Sequence, residues 1–210
     1  AGEGEAAELV AQAATEGRVC ALEFDKFWFV DVYTPNAQNE LAVRAAALAK
    51  LAVTPTDTLW DVGAGTGSVS VELALAAPAG QVYAVECDPE ACALIQQNRE
   101  KFSAYNLTLI EGKAPEALDM LPAPDAVFIG GTKGQYGRCY RRRAAQKIQL
   151  PGCALPAIAL ETLSAAVAAL TAHGLAAEVT QIAVNRTKTA GSLHLLMANN
   201  PVFLIMGART

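Results

Sequence analysis

From Asn36 onward the apolar and polar positions fall into blocks of two kinds, short apolar runs bounded by Gly, Asp or Pro and longer segments of helical character. Glu40 to Val53, ELAVRAAALAKLAV, reads as a helix that Pro55 ends. Then come a strand at Thr58 to Val62, a helix at Gly67 to Ala77, a strand at Gln81 to Glu86 and a helix at Asp88 to Phe102. Leu107 to Gly112 and Pro124 to Gly131 read as further strands, and Glu161 to Gly174 as a helix closed by its glycine. The apolar runs suit parallel strands buried on both faces, with helices as crossovers. The chain ends in two longer strand-like runs, Ala176 to Ala198 and Pro201 to Ala208. So short a break between them predicts an antiparallel hairpin at the sheet edge, because a parallel pair needs a crossover of about a dozen residues.

Composition narrows the class. A chain of 210 residues with 52% hydrophobic and 18% charged residues can bury a full core. We divide it into an N-terminal appendage of uncertain structure, residues 1–35, and one α/β domain, residues 36–210. A formal charge of −5 argues against a nucleic-acid partner held by phosphate contacts. The first residues, AGEGEAAELVAQ, lack a basic region and an apolar region, so they predict no secretory signal. The uncharged stretch Thr162 to Ala177 is too polar and too short for a membrane span. The five cysteines form no C-x-x-C pair and the chain has two histidines, so no metal site is predicted. Reduced thiols place the protein in the cytoplasm, with Cys87 and Cys92 as packing residues.

The chemistry concentrates in LWDVGAGTGSVSVEL, Leu59 to Leu73. Gly63, Gly65 and Gly67 stand where the first strand hands over to a helix, at the sheet edge where open α/β folds bind ligands. A helix start near Thr66 would offer N–H groups to a carboxylate. A dinucleotide fingerprint needs G-x-G-x-x-G, but counting from Gly63 or Gly65 its last position is Ser68 or Ser70. Asp61 would repel a phosphate and could hold an ammonium group. Glu86, ending the second strand, can accept from ribose hydroxyls, as nicotinamide enzymes also arrange, so Glu86 alone does not discriminate. Asp88 reads as a helix cap ahead of Pro89.

The Asp-x-Gly-x-Gly-x-Gly spacing is similar to motif I of S-adenosylmethionine-dependent methyltransferases. The strand pattern resembles their class I, Rossmann-like fold, a mostly parallel seven-stranded sheet with an antiparallel C-terminal hairpin. A narrower resemblance rests on three motifs: EGKAPEAL (Glu111 to Leu118), LPAPDAVFIGG (Leu121 to Gly131) and NRTKTAGSLHLLMANNPVFLIMG (Asn185 to Gly207). Together they resemble the decarboxylating precorrin-6B (carbon-15) methyltransferases of cobalamin biosynthesis, over roughly Asn36 to Gly207. The resemblance implies S-adenosylmethionine as cofactor and methylation of carbon 15 of precorrin-6B, or its cobalt form, coupled to loss of the ring C acetate carboxyl as carbon dioxide. The conjugated macrocycle would act as electron sink and the protein would mainly position and desolvate. It further implies a homotetramer and a carbon-5 methyltransferase, fused or separate, as partner; Ala1 at the start of the chain fits the rear half of such a fusion or a processed chain.

On this resemblance the cofactor residues are Asp61, Gly63, Gly65, Thr66, Gly67, Glu86, Lys113 and Ala114. The substrate wall is Gly130, Gly131, Thr132, Glu161 and Arg186, with His194 a further candidate; no catalytic residue is assigned. Two departures matter. Lys113 stands where the family has Asp and cannot accept from an adenine amino group, so the adenine contact falls to the backbone at Lys113 and Ala114. The family's Pro-Met-Thr-Lys-x-Glu approach reads PNAQNE here, keeping only Pro35 and Glu40, with Tyr33 and Asn36 as candidates to replace what is lost. The rival readings are an RNA or protein methyltransferase on the same scaffold and a non-catalytic cofactor-binding module. No Asn-Pro-Pro-Tyr or Asp-Pro-Pro-Tyr follows the fourth strand, where base-amine methylases carry a polar clamp.

Tyr136 to Pro156 fits the pattern badly. Arg141 to Arg143 spread charge around the helix that the fold requires, and Pro156 falls in a central strand. The segment reads as a basic patch for an acidic tetrapyrrole, as a solvated helix with an irregular strand, or as the product of a shifted reading frame.

Overall fold

The computed structural model describes residues 37–130, 152–157, 159–172, 174–198 and 200–208, and among them nine strands and four helices. Strands β1 (Thr58–Val62), β2 (Gln81–Glu86), β3 (Leu107–Glu111), β4 (Ala126–Ile129) and β5 (Gly152–Ala157) run parallel. Helix α1 (Ala37–Leu51) precedes β1, helices α2 (Ser68–Ala76) and α3 (Pro89–Lys101) connect β1 to β2 and β2 to β3, and a 3-10 turn at Glu116–Leu118 lies between β3 and β4. Helix α4 (Leu160–Ala172) then leads to β6 (Ala176–Ile182), β7 (Asn185–Ala190), β8 (Leu193–Ala198) and β9 (Val202–Ala208). The main sheet has the order β3-β2-β1-β4-β5-β9-β6. The order reverses between β1 and β4, and a crevice at the carboxyl ends of the strands opens at such a switch point.

Alternation along each strand sorts the core into two layers. Leu59, Val82, Ala84, Leu107, Phe128 and Leu204 pack on one face with Leu73 of α2 and Ile95 of α3. Trp60, Val62, Val85, Val127, Leu155 and Ile205 pack on the other with Ala166 and Leu170 of α4. Both faces are covered, which is why the central strands read as continuous apolar runs. Helix α1 is tied to α2 by a buried ion pair, Arg44 Nε to Glu72 Oε1 at 3.1 Å. Burial raises the Glu72 pKa and the Arg44 guanidinium beside it holds it down.

Several local features differ from the sequence pattern for visible reasons. Helix α1 stops at Leu51, four residues before Pro55, with Ala52 left-handed at φ 50°. Pro156 does lie in β5, but the β4 ladder ends at the Phe128 and Ala154 pair. Beyond that point β5 pairs only with β9, so a residue without an N–H is tolerated. Gly174 closes α4 as foreseen: at φ 72° its N–H donates to the Thr171 carbonyl while Leu175 N–H donates to the Leu170 carbonyl. The run Ala176 to Ala198 is not one strand. Its first part, β6, pairs antiparallel with β9, which sits between β5 and β6. Its second part folds back as a separate antiparallel ribbon of β7 and β8 turned at Gly191. The basic stretch from Tyr136 to Pro151 lies outside the described residues, as do the N-terminal 36 residues. Among the described residues no helix is long and apolar enough to cross a membrane.

Gly80 supplies a test of this packing. A Cβ built there would stand 2.1 Å from the Asp57 carbonyl oxygen, a backbone atom that cannot move without disturbing the start of β1. Gly80→Ala is expected to cost at least about 2 kcal/mol of unfolding free energy, read by urea denaturation. An unchanged midpoint would mean that the loop relaxes freely.

Candidate active site

The site is assembled at the carboxyl edge of the sheet from the ends of β1, β2, β3 and β4. The turn after β1 is closed by its own hydrogen bonds. The N–H groups of Gly63 and Ala64 donate to the Val85 carbonyl at 2.9 and 3.2 Å, and Gly67 N–H donates to the Ala64 carbonyl. Gly65 N–H donates to Glu86 Oε2 at 2.8 Å. Helix α2 begins at Ser68, one residue after the Gly67 start that the sequence indicated, and the N–H of Gly67 is already taken.

The glycines divide the work. Gly67 sits at φ 79°, and an added Cβ would lie 2.9 Å from Ile95 Cγ1 and 3.3 Å from its Cα, so α3 can approach only a glycine here. At Gly65, φ 56°, the same construction meets nothing within 4 Å, which leaves room for a ligand. Gly130 serves the turn as well: a Cβ there would stand 3.0 Å from the Gly63 carbonyl oxygen. The absence of a side chain at Gly130 is thereby explained by packing, whatever substrate the edge accepts.

Asp61 is the chemically distinctive residue. It lies in β1 almost fully buried, and Ser70 Oγ donates to its Oδ2. Its Oδ1 is buried with no hydrogen-bond partner among the described residues. A buried carboxylate oxygen left without a donor is costly and marks a place for an incoming one. Burial pushes the Asp61 pKa up to about 7; the Ser70 hydrogen bonds pull it down, and the charge of Glu86 adds to the rise.

Glu86 holds the next station. Besides Gly65, its carboxylate accepts from Cys87 N–H at 2.7 Å and Asp88 N–H at 3.0 Å, leaving part of its acceptor capacity for a hydroxyl. Asp88 caps α3 by accepting from Glu90 N–H, the role its sequence context indicated. Gly112 N–H donates to the Glu86 carbonyl at 2.8 Å and brings Lys113 and Ala114 alongside. The Lys113 carbonyl accepts from Ala117 N–H, Ala114 is half-buried and the Lys113 side chain is exposed.

Asp61, the three glycines, Thr66, Glu86, Lys113, Ala114 and Gly130 therefore converge. Glu161 stands in the first turn of α4, which follows β5, and is exposed. Arg186 lies in the β7 ribbon, in register with Met197, and its side chain lies outside the described residues, as do Gly131 and Thr132. His194, in β8, is exposed. Sequence reading missed two supports. Asn98 is fully buried and its Nδ2 donates to the Thr66 carbonyl at 2.9 Å, fixing the turn from behind. Its signal was a polar residue continuing the buried stripe of Cys92 and Ile95. Ser70 carried no signal beyond its place one helical turn after the glycines.

This strand order and turn define the class I S-adenosylmethionine-dependent methyltransferase fold. A SAM-dependent O-methyltransferase from Thermotoga maritima shares it with a TM-score of 0.66 at 17% identity, covering 90% of this chain and 70% of that one. A family model described as the precorrin methyltransferase domain matches residues 35–208. The chain belongs to this precorrin methyltransferase family. It is 44% identical over 165 residues to a probable cobalt-precorrin-6B C(15)-methyltransferase (decarboxylating) of Pyrobaculum calidifontis, across 78% of this chain and 84% of that protein. The crystal structure of precorrin-6Y C5,15-methyltransferase from Geobacter metallireducens is 38% identical with a TM-score of 0.75, covering 80% of this chain and 89% of that one.

The buried Asp61 yields a pH prediction. Its folded pKa lies above its ordinary value of 3.8, so this group costs stability as the pH rises from there to about 7, and the cost is constant above. Asp61→Asn removes the titration. The variant's stability relative to the parent is expected to be greater at pH 8 than at pH 5, by roughly 2 kcal/mol in urea unfolding. A difference that does not vary with pH would show that Asp61 titrates like an exposed carboxylate.

Proposed function

We propose that the chain binds S-adenosylmethionine and methylates carbon 15 of precorrin-6B, or its cobalt form, with loss of the ring C acetate carboxyl as carbon dioxide. The observation that carries this reading is the family match over residues 35–208, nearly the span in which the sequence motifs lie. The site fits the cofactor independently. Asp61 Oδ1 is a buried acceptor awaiting a donor, which suits the ammonium of an amino-acid-like ligand, and Gly65 leaves open space beside it. Glu86 accepts from ribose hydroxyls, and the backbone at Lys113 and Ala114 meets the adenine edge. When bound, S-adenosylmethionine supplies an electrophilic methyl group.

The protein's share is to bind, orient and exclude water. Holding two reactants in line can contribute roughly 7 to 11 kcal/mol without any acid or base. The substrate wall comprises Gly130, Gly131, Thr132, Glu161 and Arg186, and a cytoplasmic setting agrees with free thiols at Cys87 and Cys92. The C5,15 designation of the Geobacter protein supports a second methylation, at carbon 5, by a fused or separate enzyme. Anaerobic incubation with precorrin-6B and S-adenosylmethionine is expected to add one methyl and remove one carbon dioxide by mass spectrometry, and Gly65→Leu to abolish turnover. Calorimetric binding of NAD at this site with no signal from S-adenosylhomocysteine would overturn the reading.

The ribbon of β7 and β8 supports self-association, as a tetramer. Leu193, Leu195, Leu196 and Met197 are 45 to 74% exposed in the single chain. A two-stranded sheet whose apolar side chains stay this exposed among the described residues is marginal in water, so those side chains need cover. Light scattering at micromolar concentration is expected to report four chains, and Leu196→Asp to lower that number. A monomeric parent protein would remove the proposal.

A further inference from the structure

We infer that Ser70 is a positioning residue for the cationic end of the ligand: by donating to Asp61 Oδ2 it turns the carboxylate so that Oδ1 stays bare for an ammonium group. The inference rests on the cofactor reading above and goes past it, because Ser70 touches neither ligand nor substrate and acts through Asp61.

The geometry argues for it at each step. Asp61 and Ser70 bracket the glycine turn, the first at the end of β1 and the second in the first turn of α2, and both are buried. Their hydrogen bond therefore closes the turn across its base. A carboxylate in such a place could rotate until both oxygens found donors. Ser70 holds one oxygen, and the other is left without a partner among the described residues. The nearby Glu86 cannot replace it, since its own oxygens accept from Gly65, Cys87 and Asp88 and it carries the same charge. A hydroxyl donor costs little where a cation must approach next, because it satisfies the carboxylate without cancelling its charge. Lysine or arginine at position 70 would neutralise the acid and compete with the ligand.

The test separates this role from a structural one by comparing two ligands that share the adenosine part. S-adenosylhomocysteine carries the ammonium group; methylthioadenosine lacks the whole amino-acid portion. Ser70→Ala is expected to weaken S-adenosylhomocysteine about tenfold by calorimetry while methylthioadenosine stays within about twofold. In an Asp61→Asn background the same change should have no further effect on S-adenosylhomocysteine, as two residues acting through one bond require. Ser70→Cys keeps the volume with a weaker donor and should reproduce the split in smaller form if the alanine variant does not fold. Equal loss for both ligands, or no loss for either, would overturn the inference. A parent protein that binds no S-adenosylhomocysteine would instead defeat the cofactor reading, and this inference with it.

Discussion

The carboxylate of Glu86 holds the site together. It accepts from Gly65 N–H across the β1 and β2 boundary and from the first two N–H groups beyond its own strand. One side chain thereby fixes the glycine turn and the loop into α3. Those N–H groups would otherwise face solvent or a ligand, and the turn would have several conformations to choose from. With the Val85 carbonyl taking Gly63 and Ala64, the turn becomes an extension of the sheet rather than a loose connection. Stiffness of this kind matters for a reaction whose main requirement is alignment.

The candidate site carries a local stability cost. Asp61 is buried with half its carboxylate unpartnered among the described residues, an arrangement that folding alone would not favour. The surroundings compensate: Ser70 covers one oxygen, and Ile95 and Asn98 brace the turn from α3. The buried Arg44 and Glu72 pair is different in kind. Its two charges are matched, it holds α1 against α2, and neither residue has a buried polar atom left without a partner among the described residues.

Residue patterns carried the central sheet well because strands buried on both faces need near-continuous apolar runs, and each such run is bounded by Gly, Asp or Pro. The turn was equally legible. Alternate glycines between a strand and a helix, with Asp61 before them and Glu86 at the next strand end, mark a tight connection, and their spacing survives in the linear chain. The C-terminal region was read less well. One apolar-to-polar pattern ran through β6, β7 and β8, and nothing local marks which strand pairs with β9 or that the ribbon leaves the sheet. Pro156 looked disruptive because the sequence does not tell where the β4 ladder ends. The packing demand at Gly130, where the Gly63 carbonyl approaches, was not legible either, because an empty side chain does not announce which neighbour needs the space.

Sequence alone determined the alternation of strands and helices, the position of the glycine turn and the acids around it, since those depend on residue type at short range. Tertiary structure decided the strand order, the insertion of β9 between β5 and β6, and the residues that act from behind. Ser70 and Asn98 are ordinary helix residues until folding sets one against the β1 carboxylate and the other against the Thr66 carbonyl. The physical reason is that a hydrogen bond between residues far apart in the chain depends on the packing of whole elements, α2 on β1 and α3 on the turn. Local pattern carries no record of that distance.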